Sequence, residues 1–277
     1  MERDLRSDIG AATLRFIASG VSADLYDLGD GQVVKLFRPA VSDEMIAREA
    51  AMSAFAHSAG VPAALALGQC VMDGRRGIIY PHLDGDTLMD RIRRQPGAAA
   101  RMLDAMAALQ RAMHQVSAVD ARPVKQVLET DILYGPAPAD AQRAMVDYIR
   151  ALPDGTALLH GDFHPGNIMA TAGGSVVIDW SKTAAGHPAA DLVRSEMLLR
   201  FGIGPNDWIT NLWRDWAAAR LRRAYIGTSD VTPADLAQWR PAVAMAWLRS
   251  RSTGRNKTFM RYLNRAMRHA GMVPLSD

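Results

Sequence analysis

Apolar and polar positions alternate with a period of two in three successive stretches near the start of the chain, residues 13–17, 23–28 and 32–37. That period places side chains on opposite faces of an extended backbone and predicts strands. Asp30-Gly31 between the second and third is a tight-turn signal, so the three form a meander. Residues 63–72, with Gly68 as a bulge or kink, and residues 78–80 flank a turn at 73–77 and complete a five-stranded sheet. Ser42 is a good N-cap for a helix over 43–56. After the break at 81–85 the period becomes helical, with helices expected over 86–93, 98–116 and 139–151. Residues 120–138 read as irregular, and from 192 to 270 the pattern is helical with breaks near 202–205, 227–230 and 253–254. Met102, Met106, Leu109 and Met113 form a core stripe, and Trp208, Trp213, Trp216, Trp239 and Trp247 are expected to pack the later helices. Three parts follow: residues 1–80, a connector at 81–85, and residues 86–277.

Two charged residues break the apolar pattern of the first part. Lys35 sits inside an apolar strand, where an ammonium needs a partner. On the following helix Glu44 faces Arg48 four positions on, whereas Glu49 lies between Met45 and Met52 on the apolar stripe. Glu49 is therefore the expected partner of Lys35. Ser19-Gly20 at the first turn places backbone N–H groups where a nucleotide phosphate could approach.

The densest chemistry lies at 158–180. Ile168-Met169 and Val176-Val177-Ile178 read as short strands joined through Thr171-Ala172-Gly173-Gly174. Their hairpin brings Asn167 and Asp179 together at its open end, although they are twelve positions apart in sequence. An amide oxygen and a carboxylate are hard donors suited to Mg2+. Asp162, five residues before Asn167 on a loop kept irregular by Pro165 and Gly166, would lie beside the metal without being committed to it and is the candidate base.

The pattern His160-Gly161-Asp162, then Asn167, then Asp179 after the next strand resembles the aminoglycoside phosphotransferase and choline kinase-like group, relatives of the protein kinases. The resemblance covers roughly residues 17–192 and implies an α+β, bilobal protein kinase-like fold. A small N-terminal antiparallel sheet lobe with one helix would precede a larger, mainly helical C-terminal lobe. It further implies a small-molecule kinase, moving the γ-phosphoryl group of ATP or GTP to a hydroxyl with Mg2+ as cofactor. Asp162 would be the catalytic base, Asn167 and Asp179 the metal ligands, and Lys35, fixed by Glu49, the neutraliser of phosphate charge. The backbone near His82 and Leu83 in the connector would hold the base of the nucleotide. His160 would brace the loop, and Asp191 is assigned a structural role, capping a helix or accepting from the loop backbone. The chain departs from protein kinases in three ways. It lacks the full glycine-rich loop, it has Trp180-Ser181 after Asp179, and it has no Ala-Pro-Glu sequence downstream, which argues against a protein substrate.

Composition changes this picture little. Hydrophobic residues at 49% and charged residues at 22% are ordinary for a globular chain. One cysteine, Cys70, forms no internal disulfide, the first residues lack an apolar signal region, and no run approaches a membrane span; a soluble cytoplasmic protein is expected. The net charge of +3 conceals a basic run from Arg249 to Arg268 without Asp or Glu, read as a solvated helix face or an anion-binding surface. Either reading argues against a polycationic aminoglycoside as the natural substrate. With few stacking aromatics in that run, nucleic acid is not an expected partner; a nucleotide and a small hydroxyl-bearing substrate are. Two other functions compete: nucleotide binding without transfer, and a metal-dependent hydrolase ligating through His160, Asp162 and His164.

Overall fold

The computed structural model describes residues 14–249 and 256–275. Thr13, Arg251, Arg255 and the expected break at 253–254 lie outside the described residues. The chain divides into two compact units: the described residues up to Arg91 together with Gly166–Lys182, and Ile92–Pro165 together with the described residues from Thr183 onward.

The first unit is built on a five-stranded antiparallel sheet in the order β1-β2-β3-β5-β4. Its strands are β1 (Arg15–Ser19), β2 (Ala23–Gly29), β3 (Gln32–Phe37), β4 (Gly68–Met72) and β5 (Arg75–Pro81). Two hairpins turn on Asp-Gly pairs, Asp30-Gly31 with φ of 50° and 70° and Asp73-Gly74 with φ of 47° and 70°. Consecutive positive φ values define the type I′ turn, whose twist matches that of the flanking strands. The β3 alternation is decisive for the site. Val34 and Leu36 pack with Ile79 on one face, while Phe37 packs with Ile78 and Ile46 on the other. Ile46 belongs to α1 (Asp43–Ser58), which opens on Ser42, whose Oγ accepts the Met45 N–H at 3.3 Å. Lys35 shares parity with Phe37 and so faces α1.

The strand expected over 63–72 is shorter. Ala63 instead bridges to Val177, and regular pairing with β5 begins only at Gly68. The helix expected from residue 86 likewise starts at Leu88, because Gly85–Thr87 pairs as β6 with Met169–Thr171. Ile168–Thr171 (β8) and Gly174–Val177 (β9) join β6 in a three-stranded sheet of the first unit, in the order β6-β8-β9.

The second unit is mainly helical. It contains α3 (Ala99–His114), α4 (Val124–Leu133), α5 (Ala139–Ala151), the short strand β7 (Ala157–Leu159) and, after β8 (Ile168–Thr171) and β9 (Gly174–Val177) of the first unit, β10 (Ala184–Gly186), α6 (Pro188–Phe201), α7 (Trp208–Ile226), α8 (Pro233–Trp247) and α9 (Asn256–His269). The helix Leu88–Arg94 is α2 and runs from the first unit into the second. Helix α4 occupies residues expected to be irregular; it has no side-chain cap and ten residues, so neither a start signal nor a long period announces it. The tryptophans divide: Trp239 and Trp247 are buried, whereas Trp208 is 76% and Trp216 37% exposed, contrary to the expectation of packing for all five. On α9 Lys257, Arg261, Arg265 and Arg268 are exposed while Phe259, Leu263, Ala266 and Met267 are buried, the pattern of a solvated basic face. Among the described residues no helix is long and apolar enough to cross a membrane.

Candidate functional site

Within the first unit the sequence-predicted pair forms. Lys35 Nζ lies 2.6 Å from Glu49 Oε1 and 3.3 Å from Asp179 Oδ1. Glu49 is almost fully buried, and Tyr80 Oη donates to the same Oε1 at 3.1 Å. Burial alone would lower the Lys35 ammonium, but the charges of Asp179 and Glu49 outweigh it and hold the group above its ordinary value. Burial, partly countered by Lys35, pushes Glu49 up. One ammonium thus faces two carboxylates, a cluster that carries one negative charge when all three are ionised. Tyr80 was not anticipated, although its alternation with Ile78 on β5 puts it on the α1 side.

Asn167 and Asp179 bracket the open end of the β8–β9 hairpin. Ile168 pairs with Val177, and the Ile178 N–H donates to Asn167 O at 3.0 Å. Asp179 adopts φ of 63°, a left-handed conformation that Asp tolerates better than most residues, and its Oδ1 accepts from Ser181 Oγ at 2.8 Å. Such backbone outliers cluster where surrounding structure fixes a functional side chain. An amide oxygen, a carboxylate and the residual negative charge fit a hard divalent cation.

The predicted base, Asp162, belongs to the second unit. Its N–H donates to His160 Nδ1 at 3.2 Å, so His160 braces the loop, and the ring is fully buried against Phe163. With Nδ1 engaged, His160 is poorly placed for the hydrolase triad. Among the described residues no group of three or more His, Cys, Asp or Glu side chains is arranged to hold a metal. Asp191 on α6 accepts the Gly161 N–H at 2.7 Å and the His160 N–H at 3.4 Å, so of its two expected roles it takes the loop-bracing one. It also accepts from His114 Nε2 and Gln110 Nε2, each at 3.0 Å. Arg194 Nε donates to the carbonyl of Gly161 from the same helix. Full burial would raise the Asp191 carboxyl, yet the His114 hydrogen bond, the neighbouring imidazoles and Gln110 hold it down at about 2.

A folded-state value below that of the unfolded chain means stability present above pH 3.8 and lost as pH falls through about 2. Acid unfolding followed by circular dichroism should show this loss in the native chain, and Asp191→Asn should flatten the profile within that window while destabilising the fold at neutral pH.

Of the turn residues, Gly20 donates its N–H to Ala23 O at 2.8 Å, and Ser19 Oγ donates to Asp24 at 2.7 Å. Arg38 ties this turn down, reaching Ser19 Oγ, Gly20 O and Val21 O, each at 3.0 Å. Sequence reasoning missed Arg38, which lies just past the end of β3 and carries no motif. In the connector the His82 N–H donates to Gly31 O at 2.7 Å, so one of the backbone groups expected to hold the base is already engaged.

Residues 13–242 match the model of the phosphotransferase enzyme family. No curated protein matches the chain. Among solved structures, a choline/ethanolamine kinase family protein from Mesorhizobium loti is 19% identical, with 93% of this chain and 87% of that one covered and a TM-score of 0.57. An aminoglycoside phosphotransferase from Streptomyces rimosus is 14% identical, with 86% and 93% covered and a TM-score of 0.58. An amicoumacin kinase solved with AMP-PNP and Ca2+ is 13% identical, with 96% and 91% covered and a TM-score of 0.60. These likenesses agree with the small antiparallel sheet carrying one helix and the mainly helical remainder. The chain belongs to the phosphotransferase enzyme family and has a protein kinase-like fold.

Proposed function

We propose that the protein transfers the γ-phosphoryl group of ATP or GTP to a hydroxyl of a small molecule, with Mg2+ as the metal. The observation that carries this reading is Lys35 held between Glu49 and Asp179 in the same unit as Asn167. Lys35 would neutralise nucleotide phosphate, and Asn167 and Asp179 would hold the divalent cation. When bound, Mg2+ supplies electrostatic stabilisation of the transferring group. Asp162 orients the acceptor hydroxyl and takes its proton as the new P–O bond forms and the bond to the nucleoside diphosphate breaks. Residues 1–80 would form the nucleotide-binding lobe, the connector at 81–85 the hinge that holds the base, and residues 86–277 the catalytic and substrate-binding lobe. The braced turn at Ser19 and Gly20 shapes the nucleotide side, and the backbone at His82 and Leu83 reads the base. The acceptor would be a small metabolite or drug, and the protein would act in the cytoplasm.

Incubation with γ-labelled ATP or GTP, Mg2+ and a set of hydroxyl-bearing compounds should move label to an acceptor oxygen. Tight nucleotide binding with label retained on the nucleotide throughout would favour a second reading, binding without transfer. That reading draws on the engagement of Ser19 and Gly20 within their own turn.

A further inference from the structure

Tyr225, near the C-terminal end of α7, is 2% exposed, and its Oη lies 2.6 Å from His114 Nδ1. The other ring nitrogen of His114, Nε2, lies 3.0 Å from Asp191 Oδ2. Because Asp191 is held ionised, it only accepts, and the proton between it and His114 resides on Nε2. An imidazole protonated there presents a lone pair at Nδ1, which must find a donor in this buried setting. Tyr225 supplies it: burial and the nearby Asp191 charge raise the phenol, so that it keeps its proton. The resulting chain runs one way, from Tyr225 O–H to His114, from His114 N–H to Asp191, and from the Gly161 and His160 amides back onto Asp191. Gln110 Nε2 completes the set by donating to Asp191 at 3.0 Å and to Ser195 Oγ at 2.9 Å.

We infer that Tyr225 is a positioning residue for the loop that bears Asp162: its hydroxyl donates to the Nδ1 lone pair of His114 and so holds that ring and, through Asp191, the orientation of the Gly161 and His160 amides. Nothing in the local sequence around Tyr225 marks it, since it acts from 64 positions downstream of Gly161. The effect on turnover rests on the role proposed for Asp162, whereas the tautomer and the loop anchoring do not. A merely structural tyrosine would contribute its ring, which packs edge-on to His114 with centroids 5.6 Å apart; a positioning tyrosine contributes the hydroxyl.

Tyr225→Phe separates these, because it keeps the ring. Nitrogen-15 NMR of the native protein should place the His114 proton on Nε2 with Nδ1 accepting a hydrogen bond, and in Tyr225→Phe that acceptor signature should vanish. Amide exchange at Gly161 should accelerate about tenfold, the order expected for the loss of one hydrogen bond from the chain, with kcat falling by a similar factor and the nucleotide KM unchanged. Tyr262→Phe, which removes a hydroxyl from another tyrosine of the same unit, should leave Gly161 exchange unaltered. A native His114 protonated on Nδ1 would overturn the inference, as would Tyr225→Phe with unchanged Gly161 exchange. Should that variant fail to fold, the native tautomer decides alone. A native protein that transfers phosphate to no acceptor would count against the proposed function and leave the NMR result to decide the role of Tyr225.

Discussion

Replacing Asp162 by Asn should reduce phosphoryl transfer by roughly 10²–10⁴-fold, the range over which a positioned general base contributes, while nucleotide affinity stays within about twofold of the native value. The change is nearly isosteric. It leaves the Asp162 N–H on His160 Nδ1 and the Gly161 N–H on Asp191, so the backbone of the loop keeps its anchors. What disappears is the charge proposed to take the acceptor's proton. Single-turnover transfer and calorimetric nucleotide titration on the same preparation measure the two quantities separately. Turnover equal to that of the native protein would remove Asp162 from its role.

Asp179→Asn should produce the complementary defect, a loss of at least about 10–100-fold in Mg2+-dependent nucleotide affinity, as for changes around bound metals generally. Asn is the informative substitution because the backbone at this position has φ of 63°, which Asn adopts readily and Ala does not. The variant also removes one of the two carboxylates on Lys35, leaving that ammonium to Glu49 alone and the ionised cluster without its residual negative charge. Its effect should therefore appear mainly in the Mg2+ dependence of binding. Equal loss with and without Mg2+ would instead identify Asp179 as a support for Lys35 and count against it as a metal ligand.

Much of this arrangement was legible in the sequence because it depends on short-range rules. Asp30-Gly31 and Asp73-Gly74 dictate their turns, Ser42 caps α1, and a lysine within an apolar strand demands a carboxylate, which the stripe position of Glu49 identifies. The hairpin between Asn167 and Asp179 follows from two apolar runs and the paired glycines between them. Elements whose stability comes from distant partners were not legible. Strands β6, β7 and β10 have three residues each, too few for a period, and exist through pairing with segments far along the chain. Helix α4 lacks a capping side chain. The exposure of Trp208 and Trp216 runs against the preference of large aromatics for burial, so composition pointed the other way. The same limit explains why Asp191 was expected to be structural without the identity of its partners: His114, Gln110 and Gly161 reach it from 77, 81 and 30 positions away.

The central claim is that the cluster of Lys35, Glu49 and Asp179, with Asn167, holds a metal-bound nucleotide. Isothermal titration of ATP and of GTP, each with and without Mg2+, tests it most directly. The account predicts binding of at least one nucleotide that strengthens markedly when Mg2+ is present. Binding of neither, or binding indifferent to Mg2+, would contradict it.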